Sequence, residues 1–184
     1  MPVPEVIPEH VLGDQSAPVV VVEYGDYECP YCAAAAPVLR ELIEGSDGQV
    51  QLVYRNYPLP EIHPYALTAA LAAEATTPHG VFWQMHELLF QHQDRLRDVD
   101  LRGYAESLGV NGDLVVGDAA QAFADKVEHD FVAGVELGVP GTPTLFVNGT
   151  LYEGRVDLAS LRQATSGSSA TRPGLVPRSW RKRR

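Results

Sequence analysis

The chain has 184 residues, 45% of them hydrophobic, which suits one ordinary core with an attached subdomain. Its formal charge of −10 is uneven: residues 166 to 184 hold six of the 14 basic residues and no acid, leaving eight basic residues against 24 acids, a formal −16, over residues 1 to 165. Such an acidic body argues against a nucleic-acid partner. No apolar run approaches the ~18 residues of a membrane span, and Met1-Pro2-Val3-Pro4-Glu5 has no basic or apolar leader region. The expectation is a cytoplasmic monomer that is not embedded in a membrane.

Val19-Val20-Val21-Val22-Glu23-Tyr24 is a nearly continuous apolar run and predicts a central strand covered on both faces. A helix from about Tyr31 to Glu44 follows, rich in alanine over residues 33 to 36, with Leu39, Leu42 and Ile43 on one side and residues 45 to 48 as its stop. Gln49 to Tyr57 alternates, placing Val50, Leu52 and Tyr54 on one face of a second strand that Pro58 and Pro60 end. Strand, helix, strand is the βαβ unit. Residues 58 to 139 then read as helical throughout, too long for a plain connection and therefore a helical insertion. Within it Leu101, Tyr104, Ala105 and Leu108 carry helical spacing behind Asp100 as N-cap. Pro64 to Ala75 makes an Ala-rich helix, Phe82, Trp83, Met85, Leu89 and Phe90 an apolar one, and Phe123, Val127 and Phe131 mark a longer one. The aromatic residues read as core. Thr144 to Val147 and Thr150 to Tyr152 flank Asn148-Gly149, the signal of a tight hairpin. Leu158 and Leu161 suggest a last helix, and from Ser166 onward the composition predicts a disordered basic tail. The chain thus divides into residues 10–57, 58–139, 140–165 and 166–184.

Two cysteines are present, Cys29 and Cys32, and their spacing excludes a framework of disulfides joining distant parts of the chain. A C-x-x-C at a helix start suits thiol-disulfide exchange. The first sulfur meets free backbone N–H groups and the positive end of the helix, which lowers its pKa, and the second lies close enough to resolve a mixed disulfide. Cys29 is then the nucleophile and Cys32 the resolving thiol; Pro30 fits the first turn, where its missing N–H costs nothing. A zinc site is the competing reading, but it wants four ligands, and His63, His79, His86, His92 and His129 are scattered without a second ligand cluster. No metal or organic cofactor is expected. Glu23, among four valines, predicts a buried carboxylate with a raised pKa suited to acid–base work.

The run from Glu23 to Cys32, the late Gly141-Thr142-Pro143-Thr144 and the block Phe82 to Phe90 between them resemble DsbA-like members of the thioredoxin superfamily, in particular the domains fused to NhaA-type sodium/proton antiporters. The resemblance spans about residues 10 to 160. It implies an α/β thioredoxin-like fold with an all-helical insertion and a protein thiol-disulfide oxidoreductase with Cys29-Cys32 as its redox-active disulfide. By the same resemblance Pro143 is a cis-proline that, with Thr142, Pro30 and Tyr31, meets an extended substrate, Glu23 relays the proton of Cys32, and Pro37 is tolerated inside the active-site helix. The implied partners are protein or peptide thiols and disulfides, with glutathione as a further thiol. Two features depart from the family: Tyr31 replaces the histidine usual beside the second cysteine, and Pro140 replaces a polar residue. The Pro-Tyr pair is similar to glutaredoxins, whose potentials of about −200 to −230 mV lie well below the about −120 mV of DsbA, so a weaker oxidant is expected. Alternative functions are a glutathione-linked transferase or isomerase and a non-catalytic peptide-binding module.

Overall fold

The computed structural model describes residues 10–166. In chain order the elements are β1 (Val11–Leu12), β2 (Val19–Gly25), α1 (Pro30–Glu44), β3 (Val50–Asn56), α2 (Ala66–Thr76), α3 (Phe82–Gln91), α4 (Asp98–Ser107), α5 (Gly117–Gln121), α6 (Ala124–Leu137), β4 (Thr144–Val147), β5 (Thr150–Leu151) and α7 (Leu158–Ser166). The strands form one mixed sheet in the order β1-β3-β2-β4-β5. β2 pairs in parallel with β3, from Val19 opposite Val50 to Gly25 opposite Asn56, and antiparallel with β4, where Glu23 faces Leu145 and Tyr24 faces Thr144. A strand with neighbours on both edges and packing on both faces has no wet side, which is why a run of valines serves there.

On one face of the sheet, α1 and α7 bury Leu39, Leu42 and Leu161 against Val19, Val21, Leu52 and Leu145. On the other, Val22, Tyr24, Val53, Tyr57 and Phe146 pack with Phe131 of α6. Glycine is required where α6 crosses: a Cβ on Gly134 would stand 2.7 Å from the Tyr57 ring and 3.0 Å from that of Tyr24. A third cluster, with Ala69 and Ala73 of α2 and Phe82, Met85 and Leu89 of α3, reaches Tyr27, Cys29 and Cys32. The cysteine pair therefore lies where the sheet domain meets the inserted helices.

A buried polar network ties the same two parts together. Arg55 of β3 donates to Asp130 of α6 (2.7 Å), and Lys126, one turn earlier on α6, also donates to Asp130 (2.5 Å). Asn56 donates to Glu74 of α2 (2.5 Å), whose other oxygen meets His10 at 3.1 Å.

Four local features differ from the sequence expectation. β3 has all seven residues buried, because Gln51, Arg55 and Asn56 on its polar positions find partners inside the protein. α4 starts before Asp100: Arg97 is its N-cap, and Asp100 sits at the third position, where its carboxylate accepts the Arg97 N–H at 3.2 Å. β1 has only two residues, too few to leave a periodic signal. Ser166 still belongs to α7, so the helix runs into the segment expected to be a tail; the remainder of that tail, residues 167–184, lies outside the described residues. Among the described residues no helix is long and apolar enough to cross a membrane.

Candidate functional site: a dithiol at the head of a helix

Cys29 is the N-cap of α1, with extended backbone angles (φ −74°, ψ 121°), and Pro30 occupies the first helical position. No side chain caps this helix, so its free N–H groups are left to the sulfur. The Cys29 thiol is pulled down to about 5, chiefly by the hydrogen bond from the Cys32 thiol; partial burial opposes this, and Thr142 and the backbone N–H groups of Cys32 and Tyr31 reinforce it. At pH 7 Cys29 is a thiolate. Cys32, fully buried one turn on, is pushed far up by that same hydrogen bond, by burial and by the charge of Glu23. The pair is thus split into one charged sulfur and one protonated one. Both are free cysteines in this structure.

Glu23 lies on β2 with both carboxylate oxygens buried and unpartnered among the described residues. Burial, and secondarily the charge on Cys29, push it up to about 8. It is therefore mostly protonated at neutral pH. Opposite the cysteines, the Thr142–Pro143 peptide is cis, and the Cys29 sulfur lies 3.3 Å from the Thr142 carbonyl oxygen, to which the thiol form donates. Tyr31 projects into solvent at 74% exposure and Pro30 is exposed beside it, while Thr142 and Pro143 are half-buried. The seven residues singled out from sequence, Glu23, Cys29, Pro30, Tyr31, Cys32, Thr142 and Pro143, thus lie on β2, the head of α1 and the loop before β4, three adjoining parts of one site. Pro37 lies inside α1, which continues through it, and Pro140 is exposed in the loop before Thr142.

Sequence reasoning did not find the residues that hold the approach to Cys29. Gln93, just after α3, donates from Nε2 to the carbonyls of both Tyr27 and Cys29, each at 2.8 Å. Glu28 accepts from the Tyr65 N–H at 2.6 Å. Asp26 accepts from the Leu59 N–H and from His63, both at 2.9 Å. These contacts cross 33 to 66 residues of sequence, and no local spacing announces them. His86, weighed above as a zinc ligand, is instead buried in a ring cluster with its Nδ1 3.1 Å from the Tyr27 hydroxyl, and burial pulls it down to about 3, so it stays neutral. The one group of potential metal ligands among the described residues is His10, Glu74 and Asp130, and it includes neither cysteine. Lys126 already sits 2.5 Å from one oxygen of Asp130 and 3.7 Å from Glu74, and Arg55 lies 2.7 Å from the other Asp130 oxygen, so the cluster fits an ion-pair network better than a metal.

A thiolate at the head of α1, a protonated thiol inside it and a cis X-Pro loop against the pair, on this sheet and with helices inserted between β3 and β4, define a DsbA-like thioredoxin fold. The chain belongs to the thioredoxin family, whose model matches residues 5–165. It is similar in structure to BdbD from Bacillus subtilis in its oxidised form (TM-score 0.75, 26% identity, 87% of this chain and 92% of that one). It is also similar to a thioredoxin-like oxidoreductase from Silicibacter pomeroyi (TM-score 0.75, 27% identity, 88% and 93%). In sequence it is 46% identical over 173 residues to the Na(+)/H(+) antiporter NhaA 1 of Salinispora arenicola, covering 92% of this chain and 26% of the antiporter. The chain thus spans about a quarter of the length of that relative.

Proposed function

We propose that this chain exchanges disulfides with protein or peptide substrates through Cys29 and Cys32. The observation that carries the reading is the placing of the pair: Cys29 caps the head of α1 against the cis Thr142–Pro143 loop, 3.3 Å from the Thr142 carbonyl, with Cys32 buried behind it, and the opposite pKa shifts of the two sulfurs follow from that placing. The Cys29 thiolate attacks one sulfur of a substrate disulfide, that S–S bond breaks, and the departing substrate sulfur leaves as a thiolate. Cys32 then loses its proton, attacks the Cys29 sulfur, and expels the second substrate sulfur. The protein dithiol becomes a disulfide and the substrate gains two electrons; the reverse sequence oxidises a substrate dithiol. Glu23, relieved of the Cys29 charge once that sulfur is in the mixed disulfide, takes the Cys32 proton in its ionised form and passes it on to solvent.

Pro30, Tyr31 and Pro143 present the surface to an extended segment of the partner, and the Thr142 backbone offers strand-like hydrogen bonds beside the reacting sulfur. Tyr31, exposed and carrying no cation, brings none of the positive charge that a histidine there would give the thiolate. The expected poise is therefore less oxidising than that of DsbA. Cys29→Ser is expected to abolish reduction of insulin disulfides, and Cys32→Ser to accumulate mixed disulfides through Cys29. Undiminished insulin reduction by Cys29→Ser would overturn the mechanism, and equilibration of the wild type with glutathione at a potential near −120 mV would overturn the inference from Tyr31.

A further inference from the structure

The segment that carries Cys29 to the head of α1 is held by one buried carboxylate. Asp26 Oδ1 accepts from the Glu28 N–H at 2.8 Å. Its Oδ2 accepts from the Leu59 N–H and from His63 Nδ1, each at 2.9 Å, which fastens the turn to the loop that follows β3. The Asp26 carbonyl closes the turn by accepting from the Cys29 N–H at 3.1 Å. With three donors on its carboxylate and one on its carbonyl, Asp26 has little freedom to rotate. Its own backbone N–H is thereby directed at the Cys32 sulfur, 3.5 Å away. Its side chain is fully buried, whereas His63 is 17% exposed and forms the solvent-facing end of the chain of contacts.

We propose that Asp26 and His63 are positioning residues for the second half of the exchange, holding the Asp26 N–H on the Cys32 sulfur while Cys32 attacks. The inference rests on the exchange reading above. In that step Cys32, its proton already passed on, forms a bond to the Cys29 sulfur; the bond between Cys29 and the substrate sulfur breaks, and the electron pair leaves on the substrate sulfur, which takes a proton from water. The Asp26 N–H keeps its proton throughout and acts by hydrogen-bonding the charged sulfur. Around Cys32 the hydrogen bond to Cys29, burial and the Glu23 charge all favour the thiol, and the Asp26 N–H is the group that favours the thiolate. Misdirecting it therefore slows resolution more than the first attack, since Cys29 also draws on the backbone N–H groups of Cys32 and Tyr31.

The test separates those two halves. A cysteine-containing peptide is loaded onto Cys29 as a mixed disulfide, and its release is followed by acid quenching and mass spectrometry; attack is followed separately as the pH profile of Cys29 alkylation. Asp26→Ala is expected to lengthen the lifetime of the mixed disulfide about tenfold, the effect of one hydrogen bond to a charged group, and to move the alkylation profile by a smaller factor. His63→Ala, which keeps the Leu59 and Glu28 bonds, is expected to lengthen it about threefold, and His63→Gln, which can still donate, to restore it. Should Asp26→Ala fail to fold by near-ultraviolet circular dichroism, the two His63 variants decide. Unchanged lifetimes in folded variants, or an alkylation profile that moves by the same factor as release, would overturn the positioning role while leaving exchange intact. A wild type that captures no peptide at all would overturn the exchange reading, and this inference with it.

Discussion

At the scale of single residues, Glu23 and Cys29 depart from their ordinary ionisation in opposite directions. The Glu23 carboxyl is raised from 4.5 to about 8, so over that interval the folded chain holds a proton that the unfolded chain has released, and stability falls as pH rises. Cys29 is lowered to about 5, so over much the same interval the unfolded chain holds a proton that the folded chain has released, and stability rises with pH. In the reduced protein the two trends offset each other. In the oxidised protein the thiolate is gone and the Glu23 trend stands alone, at about 1.4 kcal/mol per pH unit at most. Urea titrations at pH 5.5 and 7.5 should therefore show oxidised wild type losing stability on the rise, oxidised Glu23→Gln showing no such loss, and reduced wild type changing least. Equal slopes for oxidised wild type and oxidised Glu23→Gln would mean that Glu23 ionises normally.

At the scale of elements, the close approach of α6 to the sheet depends on Gly134. Alanine there places a methyl group 2.7 Å from the Tyr57 ring, and either α6 or the ring must move. Gly134→Ala is expected to cost about 1–3 kcal/mol in denaturant titration; a neutral result would show that the ring yields freely. Nothing in the sequence marked this glycine, because the pressure on it comes from Tyr57, just past the end of β3, and from Tyr24 of β2, both far off in sequence. The elements that were legible are those with their own signal. The valine run gave β2, the Asn148-Gly149 pair gave the turn between β4 and β5, and the cysteine motif marked the head of α1. The site was legible for the same reason at Glu23, Cys29 and Cys32, where the chemistry is written within ten residues. It was not legible at Asp26, His63 and Gln93, whose work is done across the fold. Asp100 shows a third case: the acid was recognised as a capping residue, but it caps from inside the first turn, a position three residues further on than its type alone suggests.

At the scale of the whole molecule, the network of Arg55, Asn56, Glu74, Lys126 and Asp130 joins the sheet to the inserted helices. Removing Asp130 takes a carboxylate from both the buried Arg55 and Lys126. Asp130→Ala is expected to destabilise the chain by about 3–5 kcal/mol, with helix and sheet still lost in one transition by circular dichroism and tyrosine fluorescence. Two separated transitions in the wild type would show that the insertion folds by itself. The dithiol at the head of α1 also sets what the molecule carries from one redox state to the other. With Cys29 charged, and Cys32 and Glu23 protonated, reduction takes up two electrons and a single proton between about pH 5 and pH 8. Its midpoint potential should then fall by about 30 mV per pH unit, where a pair of ordinary thiols would give about 60. Each reduction leaves the chain one unit more negative, so its two redox forms should separate by charge alone on a native gel run at pH 7.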